Sequence, residues 1–155
     1  AMVEFARNIL KIKKAGSSEL DKKCFPVVGL IDQWSKDGKV IRGTDKNLGG
    51  TMRLGLYEAK LKNNSAIKNV YKSNVINERH RHRYEVNINL MHQFEKKGLI
   101  FSGVSPDNKL PEIIELKNHP WFIGVQFHPE FKSRPLNPHP LFSSFIKAAK
   151  SYNGK

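Results

Sequence analysis

His128 and Glu130 flank Pro129 directly after the apolar run Trp121–Gln126. A histidine backed by a carboxylate is the orienting half of a nucleophilic triad: the acid fixes tautomer and ring, and the imidazole moves the proton. If the run is a strand that continues through them, positions 128 and 130 share one face, because side chains alternate with period two. Pro129 fixes the backbone and ends the strand at a sheet's C-terminal edge, where α/β sites gather. The same spacing also suits a purely structural pair. A triad further requires a nucleophile. Cys24 is the sole thiol, and it leads into a strand through Phe25 and Pro26 with no glycine beside it. Nucleophilic cysteines of α/β enzymes sit on sharp strand-to-helix turns among small residues, so Cys24 reads as a bystander.

The second chemical feature is the alternation Arg79-His80-Arg81-His82-Arg83-Tyr84. On a strand, Arg79, Arg81 and Arg83 share one face while His80, His82 and Tyr84 share the other. Three guanidinium groups in a row make a clamp for carboxylate or phosphate. A solvated basic edge strand, neutralised by Glu78 and Glu85, fits the same residues. His80 and His82 lack the further acidic or Cys ligands of a zinc site, so no metal is expected.

Elements that could position these groups are legible along the chain. Apolar residues at 2, 6, 9 and 10 give Ala1–Ile12 a helical pattern, with no capping residue before it, as though the chain starts inside a helix. Lys13 to Lys23 reads as a polar loop around Gly16-Ser17-Ser18. Phe25–Ile31 is a buried strand. Ser35 to Asn47 is a loop or lid. Thr51–Leu61 and Asn77–Val86 read as strands, with a short helix between them capped by Ser65 and ending at Tyr71. A helix over Asn89–Lys97 stops at Gly98. Strands Leu99–Val104 and Glu112–Leu116 are joined by the turn Ser105–Asn108. The strand before His128 follows, and Pro140 opens a last helix through Ala149. Such a mixture belongs to the α/β class with a sheet of mixed direction.

Composition narrows the function classes. The chain has 155 residues, 39% of them hydrophobic and 26% charged, which suits one soluble globular domain. No apolar stretch reaches membrane-spanning length. The formal charge of +13 arises from 27 Lys and Arg against 14 Asp and Glu. Most of the cations are scattered lysines, a solvated surface more than a nucleic-acid footprint. One cysteine excludes an internal disulfide and suits a reducing compartment.

Three strings then carry a resemblance. Gly49-Gly50-Thr51-Met52-Arg53-Leu54-Gly55, the segment Glu78–Asn87, and Gly124-Val125-Gln126-Phe127-His128-Pro129-Glu130-Phe131 occur in this order in the CTP synthase family. All lie in its C-terminal class I (triad) glutamine amidotransferase domain, and the resemblance runs from Ala1 to about Ala149. It implies a three-layer α/β fold with a mixed, mostly parallel sheet and helices on both faces. Residues 1–155 would be the C-terminal portion of that domain, without the synthase domain. The implied activity is hydrolysis of L-glutamine to glutamate and ammonia. A synthase domain then uses the ammonia for ATP-dependent amination of UTP to CTP.

By matching motifs, His128 would be the acid/base partner of a cysteine thiolate and Glu130 its orienting acid. Glu19 would hold the glutamine α-amino group and Arg83 its α-carboxylate. Arg42 and Thr44 align with a lid where the activator GTP acts. No cofactor is implied for this domain; ATP and Mg belong to the synthase domain. The family is cytoplasmic and homotetrameric, with no nucleic-acid or membrane partner implied. Its nucleophile lies on a Gly-x-Cys-x-Gly elbow just before the helix that opens here at Ala1, so that cysteine and the upstream half of the domain are expected outside this chain. The isolated segment is then expected to aggregate or to need a partner. A non-catalytic amidotransferase-like module and a basic nucleic-acid-binding domain are the competing readings.

Overall fold

The computed structural model describes residues 1–30 and 52–152. The expected lid, with Arg42 and Thr44, lies outside the described residues. The elements are α1 (Met2–Asn8), β1 (Ala15–Ser17), β2 (Phe25–Leu30), β3 (Arg53–Leu61), α2 (Ala66–Tyr71), β4 (Val75–His82), β5 (Tyr84–Val86), α3 (Met91–Glu95), β6 (Leu99–Val104), β7 (Pro111–Leu116), β8 (Ile123–Val125) and α4 (Pro140–Ser151).

The strands form two sheets, β1-β2-β5 and β4-β3-β6-β7-β8. The α/β class holds, but strand direction departs from the expected mostly parallel sheet. Within the described residues only β1 and β2 run parallel, and every other pairing is antiparallel. The cause is local for β6–β7 and β7–β8, whose connections are too short for the crossover that parallel neighbours require. The β6–β7 turn closes through Ser105 N–H to Leu110 O at 2.9 Å, with Asn108 at a positive φ of 59°.

Helices cover both faces. Ile113 and Ile114 of β7 point to opposite sides, as consecutive strand residues must. Ile114 packs in a core with Met2 and Ala6 of α1, Val27, Val86, Phe94 of α3, Leu99 and Phe101. Ile113 belongs to a second core with Ala59, Ile67 of α2, Ile76, Phe127 and Leu141 of α4. The first core draws on both sheets, which fixes them to one another.

Sequence signals explain several boundaries. Ser65 caps α2 by accepting from Lys68 N–H. The expected helix over Asn89–Lys97 divides into a 3-10 turn at Ile88–Leu90, capped by the Asn87 side chain, and α3. Gly98 takes φ 90° after it, a left-handed position that suits glycine. Pro140 is the first residue of α4, and the His139 imidazole accepts from Leu141 N–H. Among the described residues, no helix is long and apolar enough to cross a membrane.

The stretch expected as one strand over Asn77–Val86 is two. β4 belongs to the five-stranded sheet and β5 to the three-stranded one, and Arg83 stands at the break between them.

Candidate active site

β4 alternates as its sequence dictates: Ile76, Glu78 and His80 are buried while Asn77, Arg79 and Arg81 are exposed. The expected three-arginine face therefore reduces to Arg79 and Arg81, beside exposed Leu56 and Leu54 across the strand pair. Arg83, at the break, is half-buried. Glu78 and Glu85 do not neutralise that face; both are buried on other partners.

His128 and Glu130 meet, although not on a strand. β8 ends at Val125, and residues Pro129–Phe131 form a 3-10 turn with His128 at its N-cap. That turn, led by Pro129, brings His128 Nδ1 to 2.7 Å from Glu130 Oε1. The His128 N–H donates to Arg79 O at 2.8 Å, and the imidazole stacks on Phe131 with centroids 5.1 Å apart. Lys132 continues the attachment, donating to Asn77 O at 2.6 Å and pairing with Glu78 at 3.2 Å. The bond from His128 holds the exposed Glu130 carboxyl below the usual carboxylate range. An ionised acid at Nδ1 fixes the proton there and leaves the Nε2 lone pair free to take a proton.

Glu19 and Arg83 lie at one end of the three-stranded sheet. Ser17 is in register with Val28, and Leu30 with Tyr84, so the segment after β1 and the residue before β5 both fall near the C-terminal end of β2. Glu19 is exposed, and its N–H donates to Ser17 Oγ at 3.3 Å. A carboxylate and a guanidinium there could hold an amino acid by its two charged groups. Cys24 is elsewhere. It packs against Gly16 at the start of β2, where burial and then the Asp21 charge push its thiol up, the opposite of nucleophile activation.

Beneath β4 lies a buried polar cluster that sequence reasoning missed. Arg53 is hydrogen-bonded to Glu112 and lies 3.4 Å from Glu85; both carboxylates are fully buried. Gln126 Nε2 donates to Glu85 Oε2 at 2.7 Å. His80 Nδ1 is 2.8 Å from His82 Nε2, and His82 Nδ1 is 3.2 Å from Tyr84 O. Burial and the Arg53 charge push His80 down to about 3 and His82 to about 4, so both imidazoles are neutral near pH 7. Burial and the neighbouring Glu112 charge push Glu85 up to about 8. Burial likewise raises Glu112, against the pull of Arg53.

A second cluster pins α4. His139 Nε2 lies 3.1 Å from Glu78 Oε1, which also accepts from Tyr71 OH at 3.0 Å. Burial pushes Glu78 up, but the bonds from His139 and Tyr71 outweigh it and hold the carboxyl low. The available signal for both clusters was period two: it places Glu78 with His80 on the inner face, not with the arginines. Arg53, Glu85 and Glu112 come together only through tertiary pairing.

The class-I glutamine amidotransferase family model matches residues 5–148. The CTP synthase of Pelagibacter ubique is 75% identical over 152 residues, covering 98% of this chain and 28% of its own length. That of Hyphomonas neptunium is 59% identical over 150 residues, covering 96% and 28%. The chain thus spans little more than a quarter of these relatives. Among solved structures, the glutaminase domain of Trypanosoma brucei CTPS with bound acivicin superposes with TM-score 0.82 at 33% identity, covering 99% of this chain and 57% of that one.

Proposed function

The chain belongs to the class-I glutamine amidotransferase family, and from that premise we propose that it is the rear part of the glutaminase domain of a CTP synthase. The observation that carries this reading is the His128–Glu130 pair at 2.7 Å, held against β4, which leads directly to Arg83. Support comes from the identity of 75% to one CTP synthase and from the likeness to a glutaminase domain that holds acivicin.

Arg83 receives the α-carboxylate of glutamine and Glu19 its α-amino group, which fixes the side-chain amide relative to His128. His128 Nε2 takes the proton of a cysteine thiol contributed from outside these residues, and the thiolate attacks the amide carbon. The imidazolium, stabilised by Glu130 at Nδ1, returns the proton to the departing nitrogen as ammonia leaves. His128 then activates water to hydrolyse the thioester and release glutamate.

On this reading the ammonia passes to a synthase part of the same protein that aminates UTP with ATP and Mg2+. GTP acts as activator near Arg42 and Thr44, and the whole is a cytoplasmic homotetramer. The test is direct. The full-length protein, given glutamine, UTP, ATP and Mg2+, should release glutamate and form CTP. Absence of glutamate release while ammonia still supports CTP formation would contradict the glutaminase assignment.

A further inference from the structure

Two buried atoms in the cluster under β4 have no hydrogen-bond partner, His80 Nε2 and Glu112 Oε2, and they face each other at 3.7 Å. Polar atoms so deeply buried are almost always paired. The proton positions around them can be deduced. Tyr84 O can only accept, so the His82 nitrogen beside it, Nδ1, carries the hydrogen. Neutral His82 then presents a lone pair at Nε2, so the proton in the 2.8 Å contact sits on His80 Nδ1. Neutral His80 is left with a lone pair at Nε2, aimed at Glu112 Oε2. Two acceptors cannot satisfy one another unless one bears a proton.

Around Arg53, two carboxylates share one cation. The Glu85 oxygens face donors on both sides: Arg53 and His82 Nδ1 at Oε1, and Gln126 at Oε2. Glu112 offers one oxygen to Arg53 and the other to the imidazole lone pair. Glu112 Oε2 faces only the imidazole lone pair, whereas both Glu85 oxygens face donors, so the geometry places the proton retained by the pair on Glu112, whose other oxygen is the nearer acceptor of Arg53. The upward displacement of both acids by burial agrees with one retained proton, which belongs to the pair. The other groups around His80 are Tyr57 and Phe127, both ring-on-edge, with Glu78 on the same strand and His128 beyond.

We propose that Glu112 is a positioning residue: its carboxyl carries the proton of the Glu85–Glu112 pair towards the His80 Nε2 lone pair, 3.7 Å away, and so closes the far end of a one-directional hydrogen-bond chain that runs through His82 to the Tyr84 carbonyl. The last bond of that chain spans Arg83 and holds the strand break that presents it. The proposal rests on the glutaminase reading for its kinetic consequence, not for its structural one.

The test uses the full-length protein with 15N-labelled histidine, together with the variants Glu112→Gln and Glu112→Leu. Between pH 6 and 8 both His80 and His82 should show a protonated Nδ1 and a bare Nε2, in the parent and in E112Q, whose amide can still donate to His80 and accept from Arg53. E112L, which leaves the His80 Nε2 lone pair with no donor, should shift the His80 Nε2 resonance towards that of an unbonded nitrogen and raise KM for glutamine about tenfold, the value of one net hydrogen bond, with ammonia-driven turnover unchanged. E112Q should restore KM. A protonated His80 Nε2 in the parent, or E112Q and E112L equal in KM, would overturn the proposal. If the parent released no glutamate, the glutaminase reading would fall, while the His80 Nε2 resonance, moved in E112L and kept in E112Q, would still decide the role of Glu112.

Discussion

The backbone N–H of His128 donates to the carbonyl of Arg79 at 2.8 Å, which ties the imidazole to the strand that leads to Arg83. On the proposed reading, this sets proton transfer and carboxylate binding against one run of backbone. Attachment to a strand and to the residue that follows it fixes their separation better than two independent loops would.

Glu130 acts on this reading only through the His128 ring. Glu130→Ala should lower kcat for glutamine hydrolysis by roughly 10²-fold or more, with KM changed little. Steady-state kinetics of glutamate release checks this, and a change confined to KM would place Glu130 in substrate binding instead.

Arg83 should behave in the opposite way. Arg83→Ala should raise KM for glutamine by roughly 10- to 100-fold, the range of a charge-assisted hydrogen bond. Arg83→Lys should recover little, since an ammonium cannot reproduce the paired geometry of a guanidinium. Isothermal titration of glutamine into a hydrolysis-deficient variant measures the same loss as affinity.

The cluster under β4 gives stability a defined pH dependence. Burial and the Glu112 charge push Glu85 up to about 8 and burial raises Glu112, so the carboxyl pair retains a proton when folded, whereas unfolded carboxylates release theirs near the usual value of about 4.3. Its stabilising contribution is complete below that unfolded value and is lost as pH rises towards 8. His80 and His82, held near 3 and 4, act in the other sense. Their contribution is present above about pH 6.5 and lost as pH falls through that window. Above pH 6.5 the histidines are silent, so urea-unfolding free energy should decline towards pH 8 by up to about 1.4 kcal/mol per unit. Glu112→Gln should flatten that decline; an unchanged slope would mean that the pair holds no proton.

Much of the frame was legible locally. Ser65, Pro140 and Gly98 marked helix ends because caps and left-handed positions depend on near neighbours. The His128–Glu130 pair was legible as a pair, but its geometry was not. Pro129 starts a 3-10 turn beyond the expected strand, and this turn closes the contact. The division of Asn77–Val86 at Arg83 escaped because alternation continues through it; only the register of β5 with β2 shows the change of sheet. Sheet direction and the Arg53–Glu85–Glu112 cluster depend on pairings between distant segments, which no local pattern encodes.

Close packing beneath the Glu19 segment is a further point of failure. A Cβ added at Gly16 would stand 2.6 Å from Cys24 Cβ and 2.8 Å from its sulfur, so β1 would have to move off β2. Gly16→Ala should destabilise the protein by about 1–3 kcal/mol, the usual range for overpacking, and should raise KM for glutamine by displacing Glu19. Thermal melting alongside glutamine kinetics tests both; a fully stable, unimpaired variant would show that the strand accommodates the methyl group.

His128 itself carries the central claim. In the full-length protein, His128→Asn should reduce glutamine-driven CTP formation by at least about 10²-fold while leaving ammonia-driven formation at the parental rate. Glutamine-driven synthesis that survives the substitution, or loss of both activities together, would contradict the account.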